Sequence, residues 1–191
     1  MPLAVVARGG TVVAIEMGPP VELLKINAKL NPHLKIDIYN IAITNHSEGV
    51  VYETSCQGCN GKISTNINGT KVPSARLYPF LAERYSCEFL ENICLIKTDT
   101  EGDDHVILAD LDPRVRPGVI WVEWFAGYHS GPSSHCTSSS ARLFKTAEEL
   151  GYQIYQPRLP LSKIRGCENR FYEKDLLLIK KNKTLEIKNK L

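Results

Sequence analysis

The sequence lacks the features that mark several broad classes of protein. No apolar run approaches the roughly 18 residues of a membrane-spanning helix. The amino-terminal segment MPLAVVARGG lacks the charged start and long apolar stretch of a signal peptide. Six cysteines among 191 residues are too few for a disulfide scaffold. We therefore expect a protein with no membrane partner, and the missing signal peptide favours the cytoplasm.

A large excess of charge of either sign is also missing. The formal net charge is +2, from 23 basic and 21 acidic residues. Residues 180–191 hold five lysines and one glutamate, so residues 1–179 carry 18 basic and 20 acidic side chains, a balance of −2. Nucleic-acid binding requires a basic face on the folded domain, whereas these lysines lie in a polar end segment. We therefore expect no nucleic-acid partner.

What remains is an ordinary globular composition, with 43% hydrophobic and 23% charged residues. The length suits one domain, and we predict it over residues 1–180, with a lysine-rich polar tail over 181–191. Short apolar segments alternate with segments of helical spacing. We predict strands over residues 11–15, 35–43, 50–54, 93–98, 118–124, 151–155 and 174–179, and helices over residues 20–30, 73–85, 106–111 and 138–150.

Several of these strands are apolar without alternation, which is typical of a mostly parallel sheet covered on both faces. The predicted class is therefore α/β with a doubly wound sheet. The segments 35–43 and 50–54 are separated by a Glu-Gly turn and are predicted to pair as a hairpin at a sheet edge. Ligands bind outside the carboxyl ends of parallel strands, where the sequence places Glu16, Asp99, Glu101 and Glu123.

Glu16 closes an apolar strand before Met-Gly-Pro-Pro. A carboxylate at such a place can accept hydrogen bonds from two ribose hydroxyls, because it only accepts. The glycine-rich turn of a dinucleotide site is expected about 20 residues earlier, but only 15 residues precede Glu16. Two explanations remain open: the start of the chain is incomplete, or the protein binds no nucleotide-like cofactor.

Four segments carry a family resemblance, namely VVAIEMGPPVELLKINAKLN, NIAITNHSEGVVYE, LIKTDTEGDDHVIL and VIWVEW. In their order and spacing they resemble the FkbM-type family of S-adenosylmethionine-dependent methyltransferases. The resemblance runs from about Ala4 to Glu123. Its most specific part is the motif from Lys97 to Gly102, with threonines at the two positions that are usually apolar.

The resemblance implies a Rossmann-like class I methyltransferase fold that binds S-adenosylmethionine. In it, Glu16 would hold the cofactor ribose, Asn40 and Ala42 would border the adenine, and Asp99 would face the methionine moiety. Asp99 and Glu101 would also lie at the reaction centre. The family's first strand and glycine motif would precede Leu3, so the domain is expected to be amino-terminally truncated.

Methyl transfer depends mostly on positioning, and a general base is needed only when the acceptor is a hydroxyl. Asp99 or Glu101 is the candidate base, and Glu123 is the candidate group to orient the acceptor, which family habit suggests is a sugar or another hydroxylated small molecule. Glu101 has an alternative structural role as a cap for the following helix. Two alternatives for the whole chain remain: a truncated, non-catalytic binding module, and a nicotinamide-dependent oxidoreductase.

Metal binding is not predicted. Cys56 and Cys59 have the two-residue spacing used by zinc sites, but no second pair has a matching spacing. His129 and His135 lie in a second long loop, and we consider them candidates to face the acceptor.

Overall fold

In the computed structural model the chain divides into two compact units, residues Met1–Arg76 and Leu77–Leu191. The structure describes residues 10–45, 50–53, 63–64, 70–100, 104–123, 138–157, 161–164 and 175–183. In these ranges no helix is long and apolar enough to cross a membrane. The single domain expected over residues 1–180 stays a prediction.

A β-α-β unit lies in the first compact unit. Its elements are β1 (Thr11–Glu16), α1 (Pro20–Leu30) and β2 (Lys35–Asn40). The two strands are parallel and end level with each other, because Glu16 lies opposite Asn40. Pro20 starts the helix, where its fixed φ is already suited to a first turn. The helix packs on β2. On one side of it Val21 is buried and Leu24 and Ala28 are half-buried.

The first unit also contains a four-stranded sheet in the order β3-β6-β4-β5. Its strands are β3 (Ala42–Ile43), β4 (Val50–Glu53), β5 (Ile63–Ser64) and β6 (Thr70–Ala75). Strand β6 is parallel to β3 and antiparallel to β4. The predicted hairpin between residues 35–43 and 50–54 is therefore wrong, because β6 lies between them. The helix predicted over 73–85 is also too long, since it begins only at Leu77.

The second unit is built on a five-stranded sheet in the order β10-β9-β11-β8-β7. Its elements in chain order are α2 (Leu77–Ala82), α3 (Cys87–Glu91), β7 (Leu95–Thr98), α4 (Asp104–Ala109), β8 (Val119–Glu123), α5 (Ser138–Glu149), β9 (Tyr152–Gln156), β10 (Ser162–Ile164) and β11 (Asp175–Lys180). A short 3₁₀ turn, Lys181–Lys183, follows β11. Strands β7 and β8 are parallel, and the other three pairs are antiparallel.

Alternate residues of the central strands form the core of this unit. Ile120 and Val122 of β8 are 1% and 0% exposed, and they lie opposite Leu178 and Leu176 of β11, which are also buried. Helices α4 and α5 pack on each other, and α5 packs on β9. The core therefore forms where strands have neighbours on both edges and helices on a face.

The predicted α/β class is confirmed. The prediction of a mostly parallel sheet is wrong for the described strands, because three of their eight pairs are parallel and five are antiparallel. Pairing direction depends on contacts between distant segments, which the apolar runs do not show. The parallel pairs β1–β2 and β7–β8 each bring the carboxyl ends of two strands to one edge of a sheet.

Candidate functional site

The first group of predicted site residues lies at the carboxyl ends of β1 and β2. Glu16 is half-buried and lies level with the exposed Asn40. The Glu16 Oε1 atom accepts a hydrogen bond from the Met17 amide at 2.9 Å, and the Asn40 Oδ1 atom accepts one from the Gly18 amide at 3.0 Å. These bonds hold the start of the β1–α1 turn against the strand ends.

Gly18 is the residue that lets the chain make this turn. Its φ is +78°, a left-handed conformation in which glycine alone has no steric penalty, and the residue is buried. With a side chain at this position, the backbone would be strained and the amide would be drawn away from Asn40. The sequence Glu-Met-Gly-Pro-Pro therefore builds a rigid edge that presents one carboxylate and one carboxamide.

Ala42, the third residue predicted near the cofactor, lies two residues beyond this edge. It belongs to β3, is 4% exposed and lies opposite Ser74 of β6. Its methyl group is therefore part of the packing between strands. The backbone between Asn40 and Ala42 is fixed to β1, since the Ile41 amide donates to the Glu16 carbonyl at 3.2 Å.

In the second unit the predicted acids lie at the carboxyl ends of β7 and β8. Thr98 is opposite Val122, so the residues that follow them, Asp99 and Glu123, come level at the end of the parallel pair. Asp99 is exposed and Glu123 is half-buried. The structure therefore brings these two predicted residues to one edge of the five-stranded sheet.

A third carboxylate, which the sequence did not suggest, joins this edge. Asp175 begins β11 and lies directly opposite Glu123 in the antiparallel β8–β11 pair. In the sequence, Asp175 is at the amino-terminal end of a strand. In parallel sheets ligands bind at the carboxyl-terminal ends of the strands, so the sequence did not indicate this residue. Only the reversed direction of β11 places Asp175 beside the ends of β7 and β8.

A lysine offsets part of this negative charge. The Lys97 ammonium lies 2.5 Å from Asp99 Oδ2 in an ion pair between two partly exposed side chains. Like charges placed opposite each other in a sheet repel, so the cation lowers the cost of gathering carboxylates at this edge. It also holds Asp99 in one orientation, which a group that handles a proton requires.

Several polar atoms are buried directly behind this edge. Asp104 is only 3% exposed, and its Oδ2 atom accepts a long hydrogen bond of 3.4 Å from the Thr100 amide. Within the described part of the chain, Asp104 Oδ1 and the hydroxyls of Thr98 and Thr100 have no hydrogen-bond partner. Unsatisfied buried polar groups are costly and rare in stable cores. The described part of the turn after β7 therefore carries polar groups whose burial costs stability.

Other predicted residues fall outside the described ranges. They are Glu101, His129, His135, Cys56 and Cys59. Their roles stay predictions. Within the ranges that the structure covers, no group of three His, Cys, Asp or Glu side chains has an arrangement that could hold a metal ion.

No family model, curated protein or solved structure matches the chain. The features of the chain that bear on its function are the two acidic strand ends and the motifs of the sequence.

Proposed function

We propose that this protein is an S-adenosylmethionine-dependent methyltransferase with a Rossmann-like, doubly wound fold. The observation that carries the proposal is the β1–α1–β2 unit, whose parallel strands end level at Glu16 and Asn40. In sheets of this kind, ligands bind outside the carboxyl ends of the strands. The family resemblance of the same residues supports the choice of ligand.

The residues of the first group suit a nucleoside. A carboxylate offers about four lone-pair positions, so Glu16 can accept from ribose hydroxyls while it accepts from Met17. Asn40 is exposed and carries both donor and acceptor atoms, and its Oδ1 atom already fixes the Gly18 amide. Its NH₂ group suits the acceptor nitrogens of an adenine ring.

The assignment of acids to the acceptor comes from the family resemblance, which gives Asp99 and Glu101 a place at the reaction centre. When bound, S-adenosylmethionine supplies an electrophilic methyl group on a sulfonium. We propose that the acceptor is a hydroxylated small molecule or a carbohydrate. As the acceptor oxygen takes the methyl group, Asp99 or Glu101 would accept the proton of its hydroxyl. Glu123 orients the hydroxyl, and Lys97 holds Asp99 in place.

Calorimetric titration of the full 191-residue chain with S-adenosylmethionine and with its demethylated product tests the cofactor proposal. We expect both to bind, and Glu16→Gln to weaken binding about tenfold to a hundredfold, because hydrogen bonds to a charged acceptor are lost. Glu88→Gln is the matched control, since it makes the same change at an exposed residue of α3. A folded chain that binds neither compound would overturn the proposal.

A second candidate is a binding module that transfers no methyl group. It is favoured by the hydrogen bonds that the Met17 and Gly18 amides donate to the side chains of Glu16 and Asn40. Through these bonds both side chains stabilise the β1–α1 turn. This candidate predicts that Glu16→Gln lowers the stability of the chain while S-adenosylmethionine fails to bind. A transfer assay with labelled methyl groups and a panel of hydroxylated acceptors separates it from the enzyme.

A further inference from the structure

Helix α1 has an apolar side that is exposed in the described part of the chain. Leu23, Ile26 and Leu30 are 64%, 52% and 73% exposed. They are three and four residues apart, so they form one stripe along the helix, which we call the α1 stripe. The buried and half-buried apolar side chains of the helix, Val21, Leu24 and Ala28, lie on its opposite side. Exposed apolar patches of this kind mark interaction surfaces.

The α1 stripe is suited to pair with itself. Ile26 is central, with Leu23 three residues before it and Leu30 four residues after it. If two copies of α1 pack antiparallel about a two-fold axis at Ile26, Leu23 of each copy meets Leu30 of the other. Such an isologous contact uses one surface twice and closes at two chains.

The charges beside the stripe have the same symmetry. Glu22 and Lys29 are seven residues apart and lie on one flank of the α1 stripe. The two-fold axis keeps this flank on the same side in both chains and reverses its direction. Glu22 therefore meets Lys29 of the second copy, and Lys29 meets Glu22 of the second copy. Glu22 now contacts Lys25 at 2.6 Å in an exposed pair, which leaves its carboxylate accessible to a second cation.

We propose that the α1 stripe is a homodimer interface between two copies of this chain in antiparallel contact. The helix has eleven residues and is about 16 Å long, so the buried area is below that of a standard interface. The dimer is therefore weak, and its population rises with protein concentration. This inference does not depend on the proposed methyltransferase activity.

Sedimentation equilibrium of the full chain, over about a hundredfold range of concentration, tests the interface. We expect a monomer–dimer equilibrium for the natural sequence. Glu22→Lys places lysine against Lys29 of the second copy, and Lys29→Glu places glutamate against Glu22 of the second copy. Each variant replaces two attractive pairs by two repulsive ones, so each weakens dimerisation about tenfold.

Two further samples identify the pairing itself. The double variant Glu22→Lys/Lys29→Glu restores opposite charges and is expected to dimerise like the natural chain. An equal mixture of the two single variants also places opposite charges across the axis, so the mixed dimer forms more tightly than either variant alone. Glu148→Lys is the control, because it makes the same change of charge at an exposed position of α5 and leaves the dimer unchanged.

The other outcomes overturn the proposal. A chain that is monomeric at every concentration means that the stripe is covered within the chain or by another kind of partner. A dimer that is insensitive to both single charge changes has its interface elsewhere. Failure of the double variant and of the mixture to regain association excludes the antiparallel pairing. Far-ultraviolet circular dichroism of each variant verifies that the helices are intact.

Discussion

Strands β1 and β8 have nearly the same kind of sequence and different surroundings. The first reads TVVAIE and the second VIWVE, and each is a run of apolar residues that ends in a glutamate. No residue of β1 is fully buried, whereas Ile120 and Val122 of β8 are. Among the described strands β1 pairs only with β2, while β8 lies between β7 and β11.

The difference shows that an apolar strand becomes a core strand through its neighbours. A continuous apolar run predicts burial on both faces. In β8 one face is buried, through Ile120 and Val122, and the strand has a neighbouring strand on each edge. Strand β1 has one neighbour among the described strands, and its residues are half-buried except for Thr11, which is exposed. The same contrast extends to the two terminal glutamates, which lie in separate units with different partners.

Truncating an isoleucine to alanine in each strand tests the difference in burial between β1 and β8, and we expect it to give the largest effect. We expect Ile120→Ala to lower the free energy of unfolding by about 3 kcal/mol, through lost burial and a new cavity. Ile15→Ala in the half-exposed β1 should cost only about 1 kcal/mol. Urea denaturation followed by circular dichroism measures both. Equal losses would mean that the two strands are equally buried in solution.

Neutralising the two glutamates tests whether the strand ends have different tasks. We expect Glu16→Gln to weaken S-adenosylmethionine binding about tenfold to a hundredfold, about 1.4 to 2.7 kcal/mol. Glu123→Gln should leave that affinity unchanged and lower the rate of methyl transfer about tenfold, because it orients the acceptor. Calorimetry and a transfer assay measure the two effects. The assignment of roles is wrong if both variants lose cofactor affinity alike.

A buried tyrosine anchors the second unit and makes its stability depend on alkaline pH. The Tyr152 hydroxyl donates to the Pro117 carbonyl at 2.7 Å, and burial raises the pKa of Tyr152 to about 12. In the unfolded chain the pKa of a tyrosine is about 10. The contribution of the protonated Tyr152 to the free energy of unfolding is therefore complete below pH 10 and is lost as the pH rises towards 12. Tyr152→Phe should cost about 1 kcal/mol at pH 7.

Denaturation at pH 7 and at about pH 11 provides the measurement. The free energy of unfolding of the natural chain should fall between pH 7 and about pH 11. That of Tyr152→Phe should fall by less, because phenylalanine does not ionise. If the variant and the natural chain respond alike to alkaline pH, another group is responsible for the loss.

An exposed ion pair in the same unit should give the smallest effect. The Arg114 guanidinium makes two hydrogen bonds to the Asp112 carboxylate, at 2.8 and 2.9 Å, and lowers the pKa of Asp112 to about 2. The pair therefore stabilises the fold above the unfolded pKa near 3.9, and the contribution is lost as the pH falls towards 2. Asp112→Asn should cost only about 0.5 kcal/mol at pH 7, because the pair is solvated.

Denaturation at pH 7 and about pH 3 measures this effect. The difference in the free energy of unfolding between the natural chain and Asp112→Asn should be smaller at the lower pH. A larger difference at the lower pH would contradict the lowered pKa of Asp112.

The errors of the sequence-based prediction concern long-range pairing. Residues 73–75 were expected in a helix but complete β6, although Pro73 has no amide hydrogen to donate. The structure tolerates it because β3 reaches only Ser74 and Ala75, so Pro73 faces no strand on that side. The local sequence pattern does not show where β3 ends or that β6 pairs with both β3 and β4. The hairpin prediction is wrong because it also required knowledge of this long-range pairing.

The sequence by itself determined the local elements and the acids at their ends. The apolar runs of β1 and β8, the start of α1 at Pro20 and the positions of Glu16 and Glu123 depend on neighbouring residues, and they could be predicted. Only the tertiary structure decided which strands are neighbours. It reversed β11, placed Asp175 opposite Glu123 and left the α1 stripe uncovered, because pairing and burial depend on contacts between residues far apart in the chain.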